Sequence, residues 1–581
     1  MFRPTDPQQS LLECRFLVPP AKKERLEKSW AQVFRDRILP VIDEEVFRDS
    51  FHESNGRPNK SIRLLMGLHM LKEWDDLTDE QVLEALEFNL LWQHALGVEP
   101  DDAHVCQKTL HNFRVRLLEN DRASEMFDRI TRRLVEMDGL NISRQRLDST
   151  HVIPNIAVLT RLGVFVETVT KFLKELRRVA PSKLEALHAG YSERYLDREG
   201  YFADAKKGQA RRRLPMVARD VLALVRAFEA DEEVRQWDSF GLLVRLLEEQ
   251  CDISPGDAEA EAEDECKEPP VEVKEPKQIS GQSLQSPHDA DATYGHKGKG
   301  YEVQVAETCV EENPYQVISE VQVGGAHESD HQATVPVVEN LQAKGLGPDE
   351  MLADTTYSSG ENIIECAKRG VELVAPVQDP HAPPAPERWQ GPVEGQAPTE
   401  PEEAGSPPEQ ANTESQDDDD TPLRLESFAF NATYDEVLTC PAGNPPVSTE
   451  AAPDGARCRA TFDGPACALC SLSERCPARA RSVDGDRVLR WQPAKAATAA
   501  RQAEQRTSPF KERYKLRSGV ESTNAELKHR HGAARLRVRG SARVALAMRL
   551  KALAVNIKRA AMYHAARLTT EAAPAEVPAP A

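Results

Sequence analysis

Three acids stand out by where they fall in the chain. Asp148 opens the polar end of Arg144-Gln145-Arg146-Leu147-Asp148-Ser149-Thr150, a run that reads as a short strand ending in polar residues. Asp354 follows a second short strand, Met351-Leu352-Ala353, and Glu521 falls on a helix far downstream. Carboxylates delivered by two strand ends and a helix suit one chemistry above others. Mg²⁺ takes oxygen ligands and keeps several waters, so a few carboxylates suffice to hold it. Two such ions, about 3.5–4 Å apart, can activate an attacking oxygen and stabilise a leaving one at a phosphodiester. Alone the trio says little. The chain has 95 acidic residues, and Asp354 by itself fits a helix cap or turn better than a metal ligand.

The residues around Glu521 say more. Tyr514, Arg517, Glu521 and Lys528 follow the spacing Tyr-x2-Arg-x3-Glu-x6-Lys. On one helix, offsets of four and seven return nearly to the same face, so Arg517, Glu521 and Lys528 are expected to share a side. Glu521 can then reach a metal while Arg517 and Lys528 reach phosphates beside the scissile bond. Tyr514 can hydrogen-bond or stack beside the strand. The plainer reading is a solvated helix with an i,i+4 Arg–Glu pair.

Five of the eleven cysteines crowd together: Cys440, Cys458, Cys467, Cys470 and Cys476. In a long chain without a secretory signal such crowding argues for metal or reduced thiols rather than disulfides. Cys467-x2-Cys470 can place two thiolates on one Zn²⁺, Cys476 follows within reach, and Cys440 can complete a four-sulfur tetrahedron. Cys458 competes for that fourth place. The expected role is structural, because no His lies near the cluster.

The elements that must position these groups are legible in outline. Residues 1–140 read as an N-terminal helical domain for DNA binding or dimerisation. It contains a capping box at Thr78-Asp79-Glu80-Gln81 and apolar residues at helical spacing, among them Ile62, Leu65, Val82, Leu86, Leu110 and Phe113. Residues 141–155 carry the first strand, 156–255 form a helical insertion with Val164–Leu176 and Pro215–Leu247 as its strongest parts, and 256–284 form an acidic linker. An α/β rhythm occupies 285–377, with strands at Tyr301–Ala306 and Tyr315–Val323 and a helix from Asp330. Residues 378–424 read as a disordered Pro-rich and acidic linker, 425–500 as a mainly β, cysteine-rich insertion, 501–566 as the Glu521 helix with basic helices, and 567–581 as a disordered tail.

Net charge is −21, yet it is unevenly placed. Asp257 to Lys277 holds nine acids against three lysines, whereas Arg501 to Arg559 holds sixteen Lys or Arg against four Glu. A phosphate backbone responds to the local field, screened beyond about 10 Å at moderate salt. No apolar run approaches the ~20 residues of a membrane span, so a cytoplasmic, nucleoid-associated address without membrane contact is expected.

These residues resemble the DDE transposases of bacterial insertion sequences. The Tyr-Arg-Glu-Lys spacing is similar to that family's segment around its last glutamate. Leu147-Asp148-Ser149-Thr150 looks like its first-aspartate strand, Ser286-Pro287-His288-Asp289-Ala290-Asp291-Ala292 with Gly300-Tyr301 like the entry to its second strand, and Ala353-Asp354-Thr355-Thr356-Tyr357-Ser358 like its second-aspartate motif. The resemblance extends over most of residues 40–565. It implies an α/β fold: a ribonuclease-H-like mixed sheet with helices, preceded by the helical domain and interrupted by the β insertion. It also implies catalytic and metal-binding roles for Asp148, Asp354 and Glu521, two Mg²⁺ ions with Mn²⁺ as a substitute, and phosphate contacts by Tyr514, Arg517 and Lys528. The partners it implies are double-stranded terminal inverted repeats and target DNA, with a homodimer bringing two ends together. A catalytically inactive DNA-binding regulator and a nuclease without strand transfer are the alternatives. The helical insertion at 156–255 and the 167-residue gap between Asp354 and Glu521 set the chain apart.

Overall fold

A computed structural model of the chain describes residues 1–4, 18–52, 55, 58–197, 207–253, 271–379, 422–452, 456–481 and 485–571. Most of the acidic run from Asp257 to Lys277, most of the 378–424 linker and the tail beyond Glu571 lie outside the described residues.

The chain opens with helices α1 (Pro20–Glu27), α2 (Trp30–Val33), α3 (Ile62–Trp74), α4 (Asp79–Phe88), α5 (Leu90–Leu96), α6 (Gln107–Leu118) and α7 (Arg122–Asp138). The Thr78 capping box forms in full: the hydroxyl accepts from the Gln81 N–H and the Gln81 amide oxygen accepts from the Thr78 N–H. After strand β1 (Arg144–Val152) come α8 (Arg161–Val179), α9 (Pro181–Glu185), α10 (Gly190–Tyr195), α11 (Lys207–Phe228) and α12 (Asp238–Gln250), then β2 (Cys251–Ile253), β3 (Val271–Val273), β4 (Thr293–Gly295), β5 (Gly298–Thr308), β6 (Ile318–Gly325), α13 (Asp330–Ala343) and β7 (Glu350–Leu352). Next are α14 (Gly360–Lys368), β8 (Glu372–Val374), β9 (Ala429–Phe430), β10 (Val437–Thr439), β11 (Ser448–Ala451), β12 (Cys458–Phe462), α15 (Gly464–Ala468), β13 (Arg479–Ala480), β14 (Arg487–Trp491), α16 (Pro493–Glu504), α17 (Ser508–Lys515), α18 (Gly519–His529) and α19 (Ser541–Glu571).

The chain divides into two units, Met1–Leu352 with Leu516–Ala581, and Ala353–Lys515. In the first, β5 pairs antiparallel with β6 on one side and β1 on the other, and β1 pairs parallel with β7. Tyr301, Val303, Val305, Val317 and Val321 supply this sheet's share of a core that also takes in Phe34, Ile62, Phe113 and Phe127 from the N-terminal helices and Val544 to Ile557 from α19. The N-terminal helices therefore do not close a core of their own. Helix α19 packs against α3, α7 and β6 and serves both layers. The start of α19 is held from the motif before β4: the Asp291 carboxylate accepts from the Ser541 N–H and hydroxyl, and Asp289 accepts from the Gly540 N–H and the Tyr301 hydroxyl.

The 156–255 insertion has a separate core around Phe165, Phe172, Phe228 and Phe240. Two expectations change here. The helix expected over Pro215–Leu247 is two helices, because Asp231 accepts from the Glu233 and Val234 N–H groups and makes a capped turn between α11 and α12. The linker expected over 256–284 contains β3, whose Val271 is buried and pairs opposite Ile253 in β2. An apolar residue with a waiting strand edge orders that end of an otherwise polar segment.

The second unit is built on a four-stranded antiparallel sheet, β11-β12-β14-β13, and a two-stranded sheet, β9-β10. Its small core joins Phe428, Phe462, Leu489 and Trp491.

One buried group predicts how the first unit responds to acid. His69 in α3 is 1% exposed, stacks on Phe113 at 5.8 Å, and has a buried Nε2 without a hydrogen-bond partner. Burial first, then the nearby charges of Arg114 and Lys72, lower its pKa from 6.5 to about 3. The unfolded chain therefore binds this proton near 6.5 and the folded chain does not, so stability falls as pH drops below 6.5. Between about pH 6.5 and 5, where carboxylates stay ionised, the expected loss is up to about 1.4 kcal/mol per pH unit. Urea unfolding of His69→Leu should show a flatter dependence over that range; identical slopes in both proteins would refute the assignment.

Candidate active site

Asp148 does not end its strand. It sits in the middle of β1, opposite Val305, within eight consecutive pairs from Gln145 to Val152. The polar run Ser149-Thr150-His151 stays in the strand because β5 offers a continuous partner for its backbone groups. The faces alternate, so Arg146, Asp148 and Thr150 lie on one side of β1. On that side α18 packs against the strand.

The contact between α18 and the sheet rests on a buried carboxylate. Glu307 in β5 is fully buried and lies opposite Arg146. It accepts from Arg146 Nε at 2.8 Å, from Thr523 Oγ1 of α18 at 2.7 Å and from Arg559 Nη1 of α19 at 2.5 Å. Arg146 also donates to the Leu516 carbonyl at 3.0 Å, just ahead of α18. Gly519 at the head of α18 lets that guanidinium in, since a Cβ there would come within 1.8 Å of Arg146 Nη1. Beyond α18 the chain turns back beside the end of β1, where Leu536 N–H donates to the Ile153 carbonyl.

This framework brings Asp148 and Glu521 onto one guanidinium. Arg517 donates to Asp148 Oδ1 at 3.2 Å and to Glu521 Oε1 at 3.0 Å. Asn524 Nδ2 donates to Asp148 Oδ2 at 3.1 Å, while its Oδ1 is buried without a hydrogen-bond partner. Asp148 and Arg517 are largely buried, whereas the Glu521 side chain is 63% exposed and faces solvent. Lys528 is half-buried; desolvation, then Lys297, depress its pKa against the opposing pull of Glu302 and Asp148. Lys297 in turn donates to Glu302 at 2.6 Å. Burial alone would raise the Glu302 carboxyl, but hydrogen bonds from His151, Lys297 and Ser149 outweigh it and hold it at about 2.

The Tyr-Arg-Glu-Lys segment is not one helix. Tyr514 ends α17, Arg517 lies in a 3₁₀ turn (Leu516–Ser518), and Glu521 and Lys528 are on α18. From this turn Arg517 reaches both Asp148 on β1 and Glu521 on α18. Tyr514 stacks on Phe510 with ring centroids 5.9 Å apart. Asp354, in the second unit, does what its plainer reading held: its Oδ1 accepts from the Thr356 N–H at 2.8 Å and caps a 3₁₀ turn. Sequence reasoning missed Asn524, Glu302, Lys297 and Glu307. Of these only Asn524 carried a signal, one turn past Glu521 on the same helix.

Within the second unit, Cys440, Cys467, Cys470 and Cys476 line one cavity of about 30 Å³ with Phe428, Phe462 and Arg487. Burial raises the Cys467 thiol, Arg487 opposes it, and the neighbouring Cys476, Cys440 and Cys470 add to the rise. Cys458 is elsewhere, 3% exposed within β12 opposite Trp491. Among the described residues no three His, Cys, Asp or Glu side chains are already set as a metal site, and no helix is long and apolar enough to cross a membrane.

The mixed sheet thus carries a largely buried acid in its first strand, and the helix facing it carries a second acid and basic residues. Family comparison names the class. Residues 439–561 match the model described as "Transposase DDE domain", and residues 23–116 match "Transposase domain (DUF772)". Both matches are to transposase domains, and together they support a DDE transposase of an insertion sequence. A curated relative, "Uncharacterized protein ORF8 in nfe locus" of Rhizobium meliloti, is 38% identical over 104 residues, which is 15% of this chain and 50% of that protein. The chain thus spans about half the length of the curated relative it matches. No solved structure matches the chain.

Proposed function

We propose that the protein cuts DNA at the inverted-repeat ends of its element and joins the freed 3′ ends to target DNA, with Asp148, Asp354 and Glu521 as the three acids of one Mg²⁺-dependent site. The observation that carries this reading is the convergence of Asp148 and Glu521 on Arg517. Two carboxylates, one sheltered in a strand and one exposed on a helix, fit a hard cation on one side and solvent-borne substrate on the other. For Asp354 the support is its Ala-Asp-x-x-Tyr motif and its position after β7 in the chain. The order β6-β5-β1-β7, antiparallel twice and then parallel, supports a ribonuclease-H-like sheet.

A carboxylate oxygen has lone pairs to spare, so Asp148 can ligate a metal while still accepting from Arg517 and Asn524. Bound Mg²⁺, one ion or two and replaceable by Mn²⁺, supplies Lewis-acid activation of the attacking and leaving oxygens. Asn524 and Arg517 hold the Asp148 carboxylate in place. Arg517 and Lys528 would offer their remaining donors to the phosphates of the incoming strand. The basic segment after Arg530 adds contacts whose strength falls steeply with salt. Strand joining brings two DNA ends together, which calls for a homodimer on DNA.

The test uses purified protein, Mg²⁺, the DNA flanking its gene and a supercoiled plasmid. End cleavage followed by covalent joining to the plasmid is expected. Cleavage without joining would identify a nuclease, and binding without cleavage a regulator.

A further inference from the structure

We infer that Cys440, Cys467, Cys470 and Cys476 form a structural four-sulfur Zn²⁺ site that ties the two small sheets of the cysteine-rich region together. The site is separate from the acids of the proposed catalytic centre and rests on observations within the second unit alone.

Placement is the first argument. Cys440 directly follows β10 and belongs to the β9–β10 sheet, whereas Cys467, Cys470 and Cys476 lie in the connection between β12 and β14 of the other sheet. All four nevertheless line the same small cavity. Two of the thiols are held by turns. The Gly443 N–H donates to the Cys440 carbonyl at 2.8 Å with Gly443 at φ +83°, a conformation that suits glycine. The Cys470 N–H donates to the Cys467 carbonyl at 3.4 Å, which makes Cys467-x2-Cys470 a turn with both thiols on the cavity.

The donor set then selects the ion. The cavity lining holds four sulfurs, one arginine, the polar Asn444 and Ser473 and otherwise apolar side chains, with no carboxylate and no imidazole. Soft thiolates favour zinc over Mg²⁺. Four protein ligands leave no open position, so the site is structural rather than catalytic. Zinc–sulfur bonds of about 2.3 Å require the sulfurs to draw inward, which rotation of half-exposed thiols around a void this small allows. Cys458 is excluded because it is paired inside β12 and lines a different surface with Arg457 and Arg490.

Need is the second argument. The core here is a handful of residues, with Cys440, Cys467 and Cys476 packed at its edge. The connection between β12 and β14 contributes only a five-residue helix and a two-residue strand. So little apolar burial leaves a segment in want of a crosslink, and small folds commonly obtain one from a metal.

The experiment measures metal in the full-length protein purified without chelators. Elemental analysis should give about one zinc per chain. Cys470→Ser and Cys476→Ser should lose most of it, and Cys458→Ser and Glu521→Gln should retain it. Replacement by Co²⁺ should give the thiolate charge-transfer band and the d–d bands of a tetrahedral sulfur site. This reads the wild-type protein directly and does not depend on variants that unfold. Folded wild-type protein without zinc, whose four thiols react freely or form disulfides, would overturn the site. Unchanged zinc in Cys470→Ser and Cys476→Ser would overturn the ligand assignment.

Discussion

Asp148→Asn and Glu521→Gln are expected to lower Mg²⁺-dependent cleavage of end-sequence DNA by about a thousandfold or more, equivalent to about 4 kcal/mol of barrier. Each change removes a negative charge and little else. Glu521 is exposed, so its amide costs almost nothing in stability. In Asp148→Asn the side chain would keep an oxygen for Arg517, now at 3.2 Å, but would set its new amide against that of Asn524, which rotation of Asn524 relieves. Binding should therefore survive in a mobility-shift assay, or even tighten, because fewer carboxylates repel the phosphates. Asp354→Asn is expected to behave the same way, with one added cost: its carboxylate accepts two bonds from Thr356, and the amide can satisfy both through a single oxygen. Full cleavage by any one of the three variants removes that residue from the chemistry. Loss of cleavage and binding together would point to misfolding, and matched unfolding curves distinguish the two.

How much of this was legible in the sequence depends on whether a feature is local. The Thr78 capping box, the alternating strands and the helix from Asp330 are written in a few adjacent residues and form as read. The Tyr-Arg-Glu-Lys spacing reads as one helix, whereas the segment is two helices joined by a 3₁₀ turn. A helical wheel cannot register that Leu516–Ser518 tightens to a 3₁₀ turn once Arg146 binds the Leu516 carbonyl. That contact spans 370 residues, and nothing beside Leu516 announces it. Asp148 likewise reads as lying at the end of a strand, yet Ser149, Thr150 and His151 continue β1 beyond it. The partner β5 that keeps them extended lies some 150 residues on. Among the cysteines, spacing left Cys440 and Cys458 as equals. The fold separated them, since Cys440 lines the cavity beside Cys467 whereas Cys458, at the far end of β12 opposite Trp491, lines another surface.

The least legible residue should also be the costliest to remove. Glu307 carries no motif, and in sequence it is one acid among many near the end of a strand. In the fold it is fully buried, with Arg146 and Arg559 at hydrogen-bond distance and Thr523 closing the set, so four elements meet on one carboxylate. Pairing of this kind roughly offsets its own desolvation while intact. Removing one partner strands the others, at about 3–5 kcal/mol. Glu307→Ala leaves two guanidinium groups facing each other across a cavity, with side chains only 13% and 21% exposed. The expected loss in denaturant unfolding of the first unit is therefore about 3–5 kcal/mol, a large fraction of a typical domain's stability. Glu307→Gln keeps the shape and the Thr523 contact and should lose less. Both should impair cleavage at temperatures where the chain remains folded, because α18 is positioned through Thr523 and Arg146 and carries Glu521 and Asn524 with it. A Glu307→Ala protein within about 1 kcal/mol of wild type would mean that water reaches these arginines. In that case the helix that brings Glu521 toward Asp148 is held by its apolar face and by the Asn524 bond to Asp148.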